Sequence, residues 1–315
     1  MRIRPGRVDP PRHNSRSLDR YTHTRAPNRL VRLPRNALVA QGIEHGSPKA
    51  GVAGSNPAEG TPLHYRCVVF DAHLHIIDPR FPVIENDGYL PPAFTATDYL
   101  ARVSALGVTG GAVVSGSFQG FDQSYLLDAL RVLGPGFVGV TQLPASVTDD
   151  EILRLDEAGV RAIRFNVRRG GSASIGDLGA LARRVHDVAG WHAELYVDAR
   201  DLPELAATID RLPAVSIDHL GLTGEGLPHL LKLAERGVRV KATGFGRVDF
   251  DIPSALRAVA AANPSALMFG TDLPSTRSPR PFADEDITLV VDALGPELAA
   301  AALSGNAAAF YRIEP

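Results

Sequence analysis

The feature that most constrains the fold of this chain is a regular alternation of two residue patterns across residues 66–315. Short runs of apolar and β-branched residues alternate with longer segments in which apolar residues recur every three or four positions. The first pattern is typical of buried strands and the second of amphipathic helices. The short runs predict eight strands, at Cys67–Ala72, Gly111–Ser115, Phe137–Gln142, Ala162–Asn166, Ala193–Val197, Val215–Asp218, Arg239–Thr243 and Leu267–Gly270.

The segments between the strands have the start and stop signals of helices. Most of them begin near Thr or Asp and end at Gly, the residues that commonly cap helices. The predicted helices cover residues 97–107, 122–134, 148–159, 177–190, 201–212, 226–237 and 252–262, with a last one from Asp284 onward. Eight strand–helix units in about 250 residues predict an α/β fold, a (β/α)8 TIM barrel. A doubly wound sheet is the main alternative, but no Gly-rich dinucleotide motif follows the first strand.

The charge of the chain is divided unevenly along its length. Residues 1–65 contain eleven Lys and Arg and four Asp and Glu, whereas residues 66–315 contain 22 and 31. The predicted barrel therefore carries a net charge of about −9, which argues against nucleic acid as its partner. The chain has no stretch of about 18 uncharged apolar residues, so a transmembrane helix and a membrane partner are not predicted.

Residues 1–65 lack the periodicity of the rest of the chain. They are rich in Arg, Pro, Asn and Ser, a composition that predicts a disordered basic tail. The stretch from Val39 to Thr61 resembles the peptide produced when a transfer-RNA gene is translated, which predicts that the translation start lies too far upstream. The alternative is a genuine tail that binds anionic surfaces. Cys67 is the single cysteine, which indicates a reducing compartment and a cytoplasmic location.

Polar residues close most of the predicted strands. The carboxyl ends of barrel strands form one rim, where the chemistry of this fold is found. We expect His73, His75 and Asp71 to project in one row, because alternate residues of a strand share a face. The other polar residues expected at the rim are Ser115, Ser117, Gln142, Arg164, Asn166, Arg168, Tyr196, Asp198, His219, Lys241, Thr243 and Asp272. For Arg168 the alternative is a solvated loop position.

Three of these motifs together resemble one enzyme superfamily. The sequences DAHLH at 71–75, SIDHLG at 216–221 and GTD at 270–272 resemble the amidohydrolase superfamily, and the resemblance covers about residues 67–312. It implies a catalytic group, formed by His73, His75, His219 and Asp272, around the reacting water.

The same resemblance leaves the metal content open. Binuclear members carry a strand-4 lysine, where this chain has Arg164, and mononuclear members often have a strand-5 histidine, where it has Tyr196. The alternatives are no cofactor or a single divalent metal, held by His73, His75 and Asp272 with or without His219. Three or four ligands with an open position is the usual arrangement of catalytic zinc.

A narrower resemblance comes from RFNV, ELYVDARDLPEL, IDHLG and GTDLP, which are similar to the 2-pyrone-4,6-dicarboxylate hydrolase group. It implies a hydrolase of a small carboxylated lactone or related ester, working without metal, with Asp272 activating water. It also implies that the substrate contacts Arg164, Tyr196, Arg247 and either Ser115 or Ser117. Leu273 departs from the group, in which an aromatic residue often follows GTD.

Two other functions remain open from the sequence. One is a mononuclear metal-dependent amidohydrolase or decarboxylase, and the other is a barrel that only binds a ligand. The full set of His73, His75, His219 and Asp272 argues against a pure binder. Barrels of this kind are commonly homo-oligomers, and the sequence does not fix the number of subunits.

Overall fold

The computed structural model describes residues 68–313. The predicted basic tail and the predicted misplaced start lie outside the described residues, as does Cys67, and they stay predictions. Among the described residues, no helix combines the length and the apolar character needed to cross a bilayer.

The described residues form a single sheet of eight parallel strands in sequential order. The strands are β1 Val69–Leu74, β2 Val108–Val114, β3 Phe137–Thr141, β4 Val160–Asn166, β5 His192–Tyr196, β6 Val215–Ile217, β7 Arg239–Ala242 and β8 Leu267–Phe269. Beyond β8, Asp272 N donates to His73 O at 2.7 Å and His75 N donates to Leu273 O at 2.8 Å. These bonds join the last strand to the first, so the predicted barrel is confirmed.

Helices alternate with the strands as predicted. They are α1 Ala96–Val103, α2 Ser124–Leu133, α3 Asp149–Glu157, α4 Leu178–Ala189, α5 Leu202–Ile209, α6 Leu227–Glu235, α7 Ile252–Ala262, α8 Glu285–Leu294, α9 Pro296–Ala300 and α10 Asn306–Tyr311. Thr95 caps α1 by accepting a hydrogen bond from Asp98 N, and Thr148 caps α3 in the same way through Glu151 N. Thr148 is the start that the sequence predicts for α3, whereas α1 is capped two residues before its predicted start at Thr97.

The core has two layers. An inner cluster of strand side chains, which includes Phe70, Ala72 and Val140, packs against Tyr311 of α10. A larger cluster fills the space between the strands and the surrounding helices. His192, the first residue of β5, packs on Tyr311 with ring centroids 4.9 Å apart, so it lies at the amino end of the barrel, as expected. The carboxyl end is left for the polar rim.

The first strand contains an irregularity that determines where its side chains point. Asp71 pairs with Gly111 and Leu74 pairs with Val113, so β1 advances three residues while β2 advances two. A bulge of this kind inserts one extra residue and re-aims the side chains beyond it. His73, which lies after the bulge, points into the barrel, whereas Asp71 faces the helices.

The expectation that Asp71 shares a row with His73 and His75 is therefore wrong. The Asp71 carboxylate accepts hydrogen bonds from the Tyr99 hydroxyl at 3.0 Å, the Thr271 hydroxyl at 2.6 Å and the Thr271 N–H at 2.8 Å. Burial raises the pKa of Asp71 to about 6. This carboxylate ties α1 to the segment that follows β8, at the place where the barrel closes.

We expect Asp71→Ala to destabilise the fold by about 2–4 kcal/mol, because it leaves the buried donors of Tyr99 and Thr271 without an acceptor. Urea unfolding measures the change, and Asp292→Ala, at an exposed position of α8, is the matched control. A free energy of unfolding that falls no further in Asp71→Ala than in the control would contradict this role.

Candidate active site

The carboxylate of Asp272 is held by one arginine on one oxygen only. Arg247 Nε donates to Oδ2 at 2.7 Å, and Nη2, which donates to the carbonyl of Thr276, also lies 2.7 Å from Oδ2. Oδ1 has no hydrogen-bond partner among the described residues and faces Nε2 of His75 at 3.6 Å and Nε2 of His73 at 3.9 Å. Asp272 is 1% exposed, so its free oxygen is directed at the two imidazoles rather than at bulk solvent.

The orientation of His75 defines which of its nitrogens can accept a proton. Nδ1 lies 2.7 Å from the carbonyl oxygen of Val114, and a carbonyl can only accept. Nδ1 therefore carries the hydrogen, and in the neutral ring Nε2 presents a lone pair to Asp272 Oδ1. Two acceptors that face each other at 3.6 Å are suited to share a water molecule that donates to both.

His219 enters the site on a strained backbone. It directly follows Asp218 at the end of β6 and has a φ of 51°, and Leu220 after it also has a φ of 51°, a region that non-glycine residues seldom adopt. The ring centroid of His219 lies 4.8 Å from that of His73. Gly244, after β7, makes room for the ring, because a Cβ there would lie 2.6 Å from His219 Nδ1. Such strain is typical of functional positions.

Beneath the imidazoles lies a buried network of charges. Lys241 Nζ contacts Glu194 Oε2 at 2.5 Å, and Arg164 Nη2 donates to Asp218 Oδ2 at 2.8 Å. His73 Nδ1 lies 3.3 Å from Lys241 Nζ, 3.4 Å from Asp218 Oδ1 and 3.6 Å from Glu194 Oε1. The two cations and two carboxylates balance, so the barrel interior can hold them without net charge.

Burial and these neighbours shift the pKa values of the site. Burial lowers the pKa of His219 to about 4 and also lowers that of His73 well below 6.5. Burial alone would raise the pKa of Asp272, but the positive charge of Arg247 and the neighbouring imidazoles of His219, His75 and His73 together outweigh it and hold that pKa well below 3.8. Burial raises the pKa of Glu194 to about 7. At neutral pH the site therefore presents neutral His73 and His219 beside an ionised Asp272.

A narrow cavity opens above this group. Four arginines line it, Arg164, Arg169, Arg247 and Arg277, together with His75, Tyr89, Gly116, Ser117, Phe118, Asn166, Tyr196, His219 and Thr276. Arg164 and Arg247 are paired with carboxylates, whereas Arg169 and Arg277 have no carboxylate within 4 Å in the part of the chain that the structure describes. The cavity is therefore suited to an anionic ligand.

The structure brings most of the predicted site residues to one place. His73, His75, His219 and Asp272 meet at the carboxyl end of the barrel, and Ser117, Arg164, Tyr196 and Arg247 lie beside them. Ser115 does not line the cavity: its hydroxyl lies 2.7 Å from the Tyr125 hydroxyl of α2. Of the two serines proposed to contact substrate, only Ser117 is placed to do so.

Several other predicted rim residues have structural partners. Lys241 pairs with Glu194 rather than Asp272, Asp198 binds Arg200, and Gln142 donates to loop carbonyls. The sequence analysis did not identify Glu194, although the alternation in β5 places it on the same face as Tyr196. It also missed Tyr89, Arg169 and Arg277, which lie in loops without a periodic pattern.

The site also has the donors needed for a single metal ion. One donor atom from each of His73, His219 and Asp272 lies within 4.8 Å of the others. His73 Nε2, His219 Nδ1 and Asp272 Oδ1 all lack a hydrogen-bond partner among residues 68–313. Two imidazoles and a carboxylate fit a divalent cation in kind and number. The expected ligand His75 is outside this group of three.

Comparison with known proteins connects this geometry to a family. A sequence model described as amidohydrolase matches residues 70–313. A 2-pyrone-4,6-dicarboxylate hydrolase of Comamonas testosteroni is 35% identical over 156 residues, which is 48% of this chain and about half, 51%, of that protein. A 4-sulfomuconolactone hydrolase of Rhizobium radiobacter is 27% identical over 79% of this chain and 93% of its own length. The crystal structure of a putative 2-pyrone-4,6-dicarboxylic acid hydrolase from Pseudomonas putida superposes with a TM-score of 0.68 at 27% identity, covering 79% of this chain and 99% of that one.

The low pKa of His219 predicts that the fold loses stability in acid. The unfolded chain binds a proton at this residue below about pH 6.5, whereas the folded chain does so only near pH 4, so unfolding is favoured as pH falls between these values. Between pH 7.5 and 4.5, we expect the free energy of unfolding, measured in urea, to fall by about 2–3 kcal/mol less in His219→Gln than in wild type. His229→Gln, at an exposed position, should follow wild type; an equal loss in His219→Gln would contradict the assignment.

Proposed function

This chain belongs to the amidohydrolase family, and on that premise we propose that it hydrolyses a small lactone, or a related ester, that carries carboxylates. The observation that carries the proposal is the asymmetric carboxylate of Asp272, which has one oxygen bound by Arg247 and the other free to act on water. The names of its relatives, a 2-pyrone-4,6-dicarboxylate hydrolase and a 4-sulfomuconolactone hydrolase, support a lactone as substrate.

The reaction begins with a water that donates to Asp272 Oδ1 and to His75 Nε2. Its oxygen attacks the carbonyl carbon while Oδ1 takes the proton, so a new C–O bond forms as the carbonyl becomes an oxyanion. The ring C–O bond then breaks, and the leaving oxygen receives the proton. Because its pKa is held low, Asp272 is a weak base whose contribution comes from its position beside the water.

The developing oxyanion needs donors that are already in place. Lys241 can only donate, so its contact with His73 Nδ1 at 3.3 Å leaves the proton of His73 on Nε2, which faces the reacting centre. A neutral imidazole donor and the nearby guanidinium of Arg164 then stabilise the oxyanion. Pre-placed donors of this kind typically contribute about 3–4 kcal/mol each.

The arginines of the cavity bind the carboxylates of the substrate in this proposal. A guanidinium offers two parallel N–H groups to a carboxylate, a geometry that lysine cannot match. Tyr196, which is 7% exposed, lies against both Arg164 and His219, and Ser117 provides a hydroxyl at the opposite wall. We propose that these residues fix the lactone ring over Asp272.

A single divalent metal held by His73, His219 and Asp272 gives a second candidate, a mononuclear metal-dependent hydrolase. The unpartnered donor atoms of these residues favour it, and a bound metal would supply a Lewis acid and an activated water. The two candidates require opposite tautomers of His73. A metal bound at Nε2 would require the ring hydrogen to be on Nδ1, where it would face Asp218 Oδ1 at 3.4 Å. The positive charges of Arg247 and Lys241 next to the ligands oppose a bound cation, so we favour the metal-free site.

We further propose a cytoplasmic location, on the single cysteine of the chain. Assembly into a homo-oligomer stays a prediction. A barrel that only binds its ligand is the non-enzymatic alternative. Ligand binding alone does not explain why His219 and Asp272 are held in the site on a strained backbone with positive φ.

We expect Asp272→Asn to lower kcat by about 10²–10⁴-fold on the best substrate of a lactone panel, because the amide cannot accept the proton. Asp292→Asn is the control, and circular dichroism should show that both variants are folded with the secondary structure of wild type. Wild-type turnover in a folded Asp272→Asn protein would refute the assignment of the base.

Metal content separates the two candidate functions. We expect protein purified without chelator to contain less than a stoichiometric amount of zinc or manganese by elemental analysis, and to keep its lactonase activity after dialysis against chelator. One metal ion per chain, removed together with the activity and restored by adding it back, would support the metal-dependent hydrolase instead.

A further inference from the structure

The mouth of the cavity contains a charged residue that the proposed reaction does not use. Arg277, in the loop after β8, lines the cavity and has no carboxylate within 4 Å among residues 68–313. The side chain of Arg277 is half-buried, whereas that of Arg164, at the bottom of the cavity, is only 3% exposed. Its φ of 57° and that of Ser275, 62°, place two non-glycine residues of this loop in the left-handed region. Strain of this kind persists only where the surroundings hold it.

The surroundings that hold Arg277 come from the opposite side of the cavity. A two-residue turn, Asp87–Gly88, with φ of 50° and 70°, joins Asn86 to Tyr89, and these two exchange both backbone hydrogen bonds at 3.1 Å. Positive φ at both central residues is the type I′ pattern, for which Asp-Gly is a preferred sequence. The loop between β1 and α1 therefore contains a short hydrogen-bonded hairpin at residues 86–89.

This hairpin fixes the guanidinium of Arg277 in place. Nη1 donates to Asn86 Oδ1 at 3.0 Å, Nη2 donates to the Asn86 carbonyl, and the group lies over the Tyr89 ring, 4.4 Å from its centroid. Asn86 Oδ1 also accepts from the Ser117 hydroxyl at 3.1 Å, and its Nδ2 donates to the Arg169 carbonyl at 3.1 Å. Only part of the N–H donors of Arg277 are used, so the remainder are held ready for a ligand.

We propose that Arg277, positioned by Asn86 and Tyr89, is a specificity-determining residue that binds the anionic group of the substrate farthest from the scissile carbonyl. The inference rests on the proposed lactonase function and names the part of its site that selects dianions over monoanions. A guanidinium stacked on an aromatic ring and braced by a side-chain amide loses little freedom on binding a carboxylate, which favours selectivity.

The position of Arg277 also separates binding from chemistry. Its neighbour Thr276 has a carbonyl that accepts from Arg247 Nη2 at 2.8 Å, and Arg247 in turn holds Asp272. These contacts use the backbone of Thr276, whereas the Arg277 side chain bonds to Asn86 and not to Arg247 or Asp272. Loss of Arg277 should weaken substrate binding and leave the proton transfer almost unchanged.

The test uses full-length protein and two measurements. For a dicarboxylated lactone, Arg277→Gln should raise KM about 10- to 100-fold and change kcat less than about 3-fold, and Arg277→Lys should lie between it and wild type. For the same lactone with its remote carboxylate esterified, the variants and wild type should have equal KM. Arg168→Gln, at an exposed site outside the cavity, is the matched control and should behave as wild type.

Equilibrium binding separates failure of this inference from failure of the proposed function. Titration calorimetry with isophthalate and benzoate, which cannot be hydrolysed, should show about a 10-fold or greater preference for the dianion that Arg277→Gln removes and Arg168→Gln keeps. If the wild type hydrolyses a lactone but Arg277→Gln changes neither KM nor this preference, the inference is overturned and the function stands. If no lactone is hydrolysed while the preference depends on Arg277, the function fails and the dianion site stands.

Discussion

The contact between Arg247 and Asp272 is the interaction on which the chemistry of the site depends. The Arg247 guanidinium donates from Nε to one carboxylate oxygen and places Nη2 2.7 Å from the same oxygen. It thereby balances the charge of a fully buried acid and leaves the other oxygen free. Burial acts to raise the pKa of Asp272, and the charge of Arg247 is the largest of the opposing effects that keep the carboxylate ionised at neutral pH. A low pKa makes Asp272 an intrinsically weak base, so its effectiveness comes from orientation and from exclusion of bulk water.

The buried charges below the imidazoles give that orientation its precision. Lys241 and Glu194 form an ion pair at full burial, and Arg164 and Asp218 form a second beside it. Replacing such pairs by apolar residues often costs a protein no stability, so their presence is better explained by what they do to His73. The balance between Lys241 and Asp218 at Nδ1 decides which nitrogen of His73 carries its proton, and hence whether the ring donates a hydrogen bond or offers a lone pair to the reacting centre.

Much of this architecture could be predicted from the chain alone. The period of the apolar residues and caps such as Thr148 are local signals, and they predict the eight strand–helix units. The ends of parallel strands share a rim, which is sufficient to bring together His73, His219 and Asp272. The misplacement of Asp71 follows from a bulge in β1, which depends on pairing with β2. Likewise, Lys241 meets Glu194 because of strand register, and Arg277 meets Tyr89 because two loops approach across the cavity. None of these long-range contacts leaves a periodic pattern in the sequence.

The most direct measurement of the central claim is a high-resolution crystal structure of the ligand-free protein at pH 7, with anomalous diffraction collected at the zinc and manganese edges. The account predicts one ordered water within about 2.6–3.2 Å of both Asp272 Oδ1 and His75 Nε2, without an anomalous peak. An anomalous peak within bonding distance of Asp272 Oδ1, or a direct hydrogen bond that closes His75 onto this oxygen and leaves no space for water, would contradict it.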